Sequence, residues 1–147
     1  MEVNSISGYW TGKIIYGDTY GDQMGQMLYF DAIITQVSDQ INGHAIDTSG
    51  WGMNPHPATL SGTFTGGKLN FVKQYVVFHA LTSDNNVLID DAQSGPEIYY
   101  TGLYNPDTGM ITGTWDIKWN MRFMRLFPYK RSIGNGTWSM KRKETGH

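Results

Sequence analysis

Hydrophobic and polar residues alternate along most of this chain, most regularly between residues 110 and 119. Apolar residues or glycine take every second position there: Ile111, Gly113, Trp115, Ile117 and Trp119. The positions between them carry threonine, aspartate and lysine. A period of two places successive side chains on opposite faces of a β-strand, so this segment is predicted to be a strand with one buried face.

Eight segments are predicted to be strands, because they show this alternation or are rich in β-branched and aromatic residues. They cover residues 8–16, 26–37, 41–48, 59–65, 68–78, 97–104, 110–119 and 136–142.

Short and long connections follow one another between these segments. Turn-forming residues predict tight hairpins at residues 38–40, 65–67 and 105–109, with residues 42–43 as a second candidate for the first of them. The other connections are long: residues 17–25, 49–57, 79–96 and 120–134. In an up-and-down arrangement every second connection falls at the same end. The predicted fold is therefore all-β, an eight-stranded antiparallel up-and-down barrel with one end closed by tight turns and long loops at the open end.

The composition favours a single β-rich domain over residues 1–147. Aromatic residues make up 14% of the chain, 18 residues are glycine and only 16% are charged, a balance that suits strands and turns. A net charge of -2 gives no reason to expect a nucleic-acid partner. The chain has no cysteine, no apolar run of membrane-spanning length and no signal-peptide pattern at residues 1–5. A cytoplasmic location without a transmembrane segment is therefore expected.

Four tripeptides place a glycine two positions before an aromatic residue on the same strand face. They are Gly8-Tyr9-Trp10, Gly62-Thr63-Phe64, Gly113-Thr114-Trp115 and Gly136-Thr137-Trp138. Glycine leaves room beside a large ring and lets a strand coil sharply, so these aromatic residues are expected to fill a barrel interior.

The first of these tripeptides resembles the Gly-x-Trp signature of lipocalins, and residues 111–115 and 136–138 are similar to strands of avidin-like proteins. Both groups belong to the calycin superfamily of up-and-down barrels. The resemblance implies that Trp10 packs at the closed end and that a basic residue, Arg142 or Lys141, covers it. The further Thr-Asp-Tyr motif of lipocalins is absent from the sequence, so the resemblance is to a calycin-like barrel and not to a named family.

Residues near the strand ends at the open mouth are the candidates for ligand binding. They are Ile14, Tyr29, Asp47, Trp51, Tyr75, Tyr100, Trp115, Trp119 and Trp138. The sixth strand is apolar at consecutive positions, and Tyr100 is chosen over Tyr99 as its inward residue. Aromatic walls with a few polar tips suit a small, partly apolar ligand. Two alternatives stay open: a barrel-mouth enzyme of decarboxylase, isomerase or hydrolase type, and a protein-interaction barrel with a filled interior.

No linear motif identifies a catalytic residue, a metal site or a cofactor site, so none is predicted. His56 and His79 flank the mouth together with Asp90 or Asp91, but no HxH or HExxH spacing supports a metal or haem site. Asp90 and Asp91 point to opposite sides of an extended chain, which argues against paired carboxylates. The expected partner is a small-molecule ligand, and a homo-oligomer is a further option.

The segment at residues 121–131 combines four basic residues with five large apolar ones. Three interpretations stay open: a lid helix ended by Pro128, a contact with a partner or a membrane surface, and a loop packed on the barrel rim. The lid or rim is favoured, because arginine stems cover apolar surface well.

Overall fold

The computed structural model describes residues 5–76, 78–81, 87–90, 97–120 and 130–143. The described strands are β1 Gly8–Tyr16, β2 Met27–Val37, β3 Gln40–Gly50, β4 Ala58–Thr65, β5 Lys68–Tyr75, β6 Phe78–Leu81, β7 Val87–Asp90, β8 Ile98–Asn105, β9 Met110–Asn120 and β10 Lys130–Arg142. A short 3₁₀ helix, Asp18–Gln23, lies between β1 and β2. Within these ranges no helix has the length and apolar character needed to cross a membrane.

Eight strands close into an antiparallel barrel in the order β1-β10-β9-β8-β5-β4-β3-β2, while β6 and β7 form a separate two-stranded hairpin. The prediction of an eight-stranded up-and-down barrel is confirmed. The barrel closes between the first and last strands, where Ile14 lies opposite Trp138 and Tyr16 lies opposite Gly136. This ladder pairs two aromatic-rich edges that an open meander would leave free to associate.

The strand bounds differ most from the predicted ones in two of the long connections. β5 ends at Tyr75 instead of residue 78, and the predicted loop 79–96 contains most of the β6–β7 hairpin. β10 begins at Lys130, inside the predicted loop 120–134, because the end of β9 supplies a pairing partner at Asn120.

Tight turns and long connections lie at opposite ends of the barrel. The closed end carries the turns at residues 38–39, 66–67 and 106–109, and the chain between β1 and β2 crosses the other end. The first hairpin turns at residues 38–39, so the alternative at residues 42–43 lies inside β3. Both glycines of the second turn have positive φ values, 61° and 80°, which a two-residue primed turn requires.

Glycines on the strands make room for tryptophan rings of neighbouring strands. A Cβ atom at Gly136 would lie 2.6 Å from Nε1 of Trp115, and one at Gly102 would lie 2.6 Å from the ring of Trp138. Both distances are shorter than real Cβ contacts. The recurrence of glycine near the aromatic residues therefore serves the packing of the barrel.

Trp10 fills the closed end of the barrel. Its side chain is fully buried, and its indole N–H donates to the carbonyl of Ile6 over 2.8 Å. The guanidinium carbon of Arg142 lies 4.8 Å from the centre of the Trp10 ring, and its two terminal nitrogens donate to carbonyls of the segment before β1. Of the two basic residues considered, it is thus Arg142 and not Lys141 that covers the tryptophan, in a cation–π contact.

Candidate functional site

Among the residues that the structure describes, two charged side chains are buried inside the barrel. Asp47 on β3 and Lys73 on β5 continue the inward alternation of their strands, and each residue is only 3% exposed. Both strands run from the tight-turn end towards the long connections, so the pair lies in the open half of the barrel. Burying these charges costs desolvation free energy, and an interior of apolar residues would avoid that cost.

Asp47 accepts hydrogen bonds from two directions. The hydroxyl of Tyr75 donates to the carboxylate, 2.9 Å from Oδ1 and 2.8 Å from Oδ2. The backbone N–H of Asn54, in the connection between β3 and β4, donates to Oδ2 over 2.9 Å. Asn54 is itself buried, and its side-chain oxygen accepts from the backbone N–H of His56 over 2.9 Å. Hydrogen bonds therefore fix the carboxylate in place and tie the loop at the mouth to the inner wall.

Lys73 is surrounded by aromatic rings. Its Nζ lies 5.4 Å from the ring centre of Phe30, 4.9 Å from that of Tyr75 and 5.7 Å from that of Tyr100. The distance from Nζ to Oδ1 of Asp47 is 3.9 Å, an ionic contact too long for a hydrogen bond. Cation–π attraction and the nearby carboxylate are thus what offsets the loss of water around this amine.

Burial shifts the pKa of the ionisable groups in this interior. It lowers the pKa of Lys73, and the negative charge of Asp47 opposes that change. Burial also raises the pKa of four tyrosines: Tyr16, Tyr20, Tyr75 and Tyr100. For Tyr20 the raised pKa is about 12. Asp47 adds to the effect of burial at the other three, because a phenolate would be repelled by the carboxylate.

An alkaline titration should show these four tyrosines ionising at a higher pH in the folded barrel than in the unfolded chain. Their folded pKa lies above the unfolded value near 10. The stability that they contribute is therefore fully present below about pH 10 and is lost as the pH rises further. Phenolate absorbance follows the ionisation of the tyrosines, and near-ultraviolet circular dichroism follows the loss of the folded barrel. Tyr100→Phe should make the alkaline loss of stability shallower, and full ionisation of an intact barrel near pH 10 would contradict the expectation.

Four aromatic rings cluster edge-to-face at the open end. The Tyr16 ring centre lies 4.7 Å from those of Tyr20 and Trp51 and 5.6 Å from that of Trp115. The Tyr16 hydroxyl donates to the carbonyl of Trp51 over 3.1 Å, which fastens the β3–β4 connection to β1. Tyr20 comes from the 3₁₀ helix, so two of the long connections contribute to this mouth cluster. We call Tyr16, Tyr20, Trp51 and Trp115 the mouth cluster below.

A second aromatic group lies beside Lys73. The rings of Phe71 and Tyr100 stack with centres 4.6 Å apart, and the Trp138 ring meets both at steep angles, 5.7 Å and 5.5 Å away. The indole N–H of Trp138 is shared between the carbonyls of Thr101 and Thr114, at 3.0 Å and 3.1 Å. This ring is thus fixed by the walls of the barrel.

The structure brings most of the candidate binding residues together. Asp47, Tyr75 and Tyr100 surround Lys73, whereas Trp51 and Trp115 belong to the mouth cluster. Ile14 and Trp138 are buried in the core, and Tyr100 rather than Tyr99 is the more deeply buried of the two. Tyr29 is 42% exposed on β2 and is not part of the interior. Trp119 pairs with Arg131 in the strand ladder, and its side chain lies outside the described part of the chain.

Sequence reasoning missed Lys73, Asn54, Tyr16 and Tyr20. Lys73 had a detectable signal, since it occupies the same parity as Leu69, Phe71 and Tyr75 on β5. A charged residue at an inward position of an otherwise apolar face is the pattern that marks it. Tyr20 had none, because its position depends on how a long connection folds back over the mouth.

Metal binding finds no support among the described residues, which contain no group of three or more histidine, aspartate or glutamate side chains able to hold an ion. His44 is exposed on β3 and His56 is half-buried beside the mouth. The side chains of His79 and Asp90 lie outside the described part, as do Asp91 and residues 121–129.

The interior therefore combines the Asp47–Lys73 ion pair with two sets of aromatic rings. Tyr75, Tyr100 and Asn54 add polar groups close to the pair. Such an arrangement can hold an apolar body and orient it through hydrogen bonds. No protein-family model, curated protein or solved structure matches this chain.

Proposed function

We propose that this protein binds a small, partly apolar ligand in the open half of its barrel. The observation that carries the proposal is the buried Asp47–Lys73 pair, 3.9 Å apart and enclosed by aromatic rings. Well-packed apolar residues would be at least as stable in such a place, and perturbed ionisable groups in protein interiors are concentrated at functional sites. The pair is therefore better explained by a ligand than by stability.

The architecture around the pair suits this function. The closed end is plugged by Trp10 under Arg142. In the mouth cluster, Tyr20 and Trp51 are only partly buried and lie beside the buried rings of Tyr16 and Trp115. Aromatic walls supply contact area, and a few fixed polar groups supply orientation. The covered tryptophan and the closing β1–β10 ladder also support a place in the calycin superfamily, which we include in the proposal.

Native mass spectrometry of the purified protein is the first test. A small molecule retained by the folded protein and released on unfolding would support the proposal. A protein that carries no molecule and binds no apolar probe would favour a filled barrel that serves as a protein-interaction module.

Tryptophan emission should report on occupancy of the mouth. We expect 2-ethylnaphthalene to quench or shift the emission, because Trp115 lies in the mouth cluster. The alternation of apolar and polar residues in the sequence also predicts that Trp119 shares a strand face with Trp115. Trp119→Phe should remove much of the response. Trp10→Phe, at the closed end, is the matched control and should keep it. Binding that leaves tryptophan emission unchanged would show that the site lies elsewhere.

One observation favours an enzyme as the second candidate. Burial lowers the pKa of Lys73, which makes the neutral amine, the form able to accept a proton, more accessible. A decarboxylase, isomerase or hydrolase that used this amine would convert the retained molecule, whereas a binding protein would return it unchanged. Product analysis after prolonged incubation separates the two functions.

A further inference from the structure

Two buried hydrogen-bond donors in the barrel have no acceptor among the described residues. One is the amine of Lys73, whose ionic contact with Asp47 is 3.9 Å long. The other is the hydroxyl of Tyr100, a residue that is 2% exposed. By contrast, the hydroxyls of Tyr16 and Tyr75 donate to the Trp51 carbonyl and to Asp47. The described residues thus supply hydrogen-bond acceptors for Tyr16 and Tyr75 but none for Lys73 and Tyr100.

A buried donor without an acceptor is costly. Native proteins pair the large majority of such groups, and each one left open lowers stability by roughly 1–3 kcal/mol. Nζ of Lys73 lies 5.7 Å from the ring centre of Tyr100, so the two donors belong to one region of the interior. A ligand that brings an oxygen acceptor into this region would satisfy donors that the described residues do not.

The charge around these donors restricts what the acceptor can be. Asp47 lies 3.9 Å from Lys73, so this carboxylate already balances the positive charge of a protonated Lys73. A ligand carboxylate would add an uncompensated negative charge beside Asp47, in surroundings where burial already penalises charge. An uncharged carbonyl oxygen has two lone pairs, can accept two hydrogen bonds and adds no net charge. Lys73 donates whether it is protonated or neutral, so this match does not depend on its protonation state.

We propose that the ligand is an uncharged molecule with a planar apolar body and a carbonyl oxygen, which accepts a hydrogen bond from Lys73 with Tyr100 as the second donor. The aromatic rings of Phe71, Tyr75 and the mouth cluster form the apolar surroundings for the body. This inference rests on the proposed function, because it specifies the chemistry of a ligand bound at that same site.

Three probes of nearly equal size test the inference by isothermal titration calorimetry. They are 2-acetylnaphthalene, 2-ethylnaphthalene and 2-naphthoate, which differ in having a neutral carbonyl, no acceptor and a carboxylate. We expect the acetyl probe to bind about tenfold more tightly than the ethyl probe, since a hydrogen bond from a charged or strong donor contributes about that much. We expect 2-naphthoate to bind more weakly than the acetyl probe.

Tyr100→Phe removes the hydroxyl and keeps the ring, so it tests the second donor without opening a cavity. The ratio of acetyl to ethyl affinity should fall several-fold in this variant. Tyr104→Phe is the matched control, because Tyr104 lies on the same strand at the closed end and packs against the core. It should leave the ratio unchanged.

The outcomes separate the two levels of the proposal. Equal affinity for the acetyl and ethyl probes, or an unchanged ratio in Tyr100→Phe, would overturn the carbonyl inference while the binding function stands. Tightest binding of 2-naphthoate would overturn it in favour of an anion. Failure of all three probes to bind would overturn the proposed function together with the inference.

Discussion

Replacing Trp10 with alanine should lower the free energy of unfolding by about 3–5 kcal/mol, a range typical of deleting a large buried aromatic ring. Trp10 is fully buried at the closed end, donates a hydrogen bond to Ile6 and lies under the guanidinium group of Arg142. The substitution removes the ring and leaves a cavity where the barrel closes. Chemical denaturation followed by far-ultraviolet circular dichroism measures the loss.

Tyr9→Ala is the control for this experiment. Tyr9 precedes Trp10 on β1, points to the other face and is 52% exposed, so its loss should change stability by much less. Trp10→Ala should also affect stability more than ligand affinity, because the proposed site is in the open half of the barrel. An unchanged melting temperature in Trp10→Ala would count against its role as the plug of the closed end.

The barrel was predictable from the sequence because two independent signals agreed. Alternation along β9 fixed which face is buried, and turn residues such as those at 66–67 fixed where the chain reverses. Once the strands follow in order with short turns at one end, closure between β1 and β10 is the arrangement that leaves no exposed edge.

The long connections could not be predicted in the same way. The β6–β7 hairpin has only four residues in each strand, too short for a periodic pattern to stand out from its surroundings. The start of β10 at Lys130 depends on β9 extending to Asn120, so it is decided by a pairing partner and not by local sequence.

The candidate site was predictable where one strand face is apolar and the other polar. Tyr75 was predicted at an inward position because β5 alternates in this way, and Asp47 was predicted as a residue near the mouth end of its strand. Tyr29 was placed in the mouth although it is exposed, because β2 carries large apolar residues on both faces and its alternation does not identify the inner one. Lys73 was missed because a lysine in a strand is usually exposed to solvent. The sign of its burial is that it lies on the same face of β5 as Leu69 and Phe71.

Burial, and not the distance between the charges, decides how much the Lys143–Asp31 and Lys73–Asp47 ion pairs affect the stability of the fold. Lys143 and Asp31 are 2.6 Å apart, but their side chains are 49% and 28% exposed. Lys73 and Asp47 are 3.9 Å apart with side chains that are almost fully buried. An exposed pair is screened by water and typically contributes less than about 1 kcal/mol, whereas removing one partner of a buried pair leaves an uncompensated charge.

Asp47→Asn should therefore cost on the order of 3–5 kcal/mol, and Asp31→Asn less than about 1 kcal/mol. Both substitutions keep the shape of the side chain and remove one negative charge, so the exposed site is a matched control for the buried one. At position 47 the change also puts an amide N–H₂ where Tyr75 and the backbone of Asn54 now donate. Urea denaturation at neutral pH measures both losses, and equal losses would show that Lys73 does not depend on the carboxylate.

The loss in Asp47→Asn should shrink as the pH rises. Burial lowers the folded pKa of Lys73 below its unfolded value of 10.5, and Asp47 opposes this shift, so the variant lowers that pKa further. Between the folded and unfolded pKa values the unfolded chain binds more protons, and stability rises with pH in that window. The unfolding free energies of Asp47→Asn and of the parent should therefore draw closer as the pH is raised from neutrality towards the unfolded pKa of 10.5. Adding Lys73→Met to Asp47→Asn removes the unpaired cation, so it should restore part of the lost unfolding free energy at low pH. If the double variant is no more stable than Asp47→Asn, the loss comes instead from the hydrogen bonds that Tyr75 and Asn54 donate to the carboxylate.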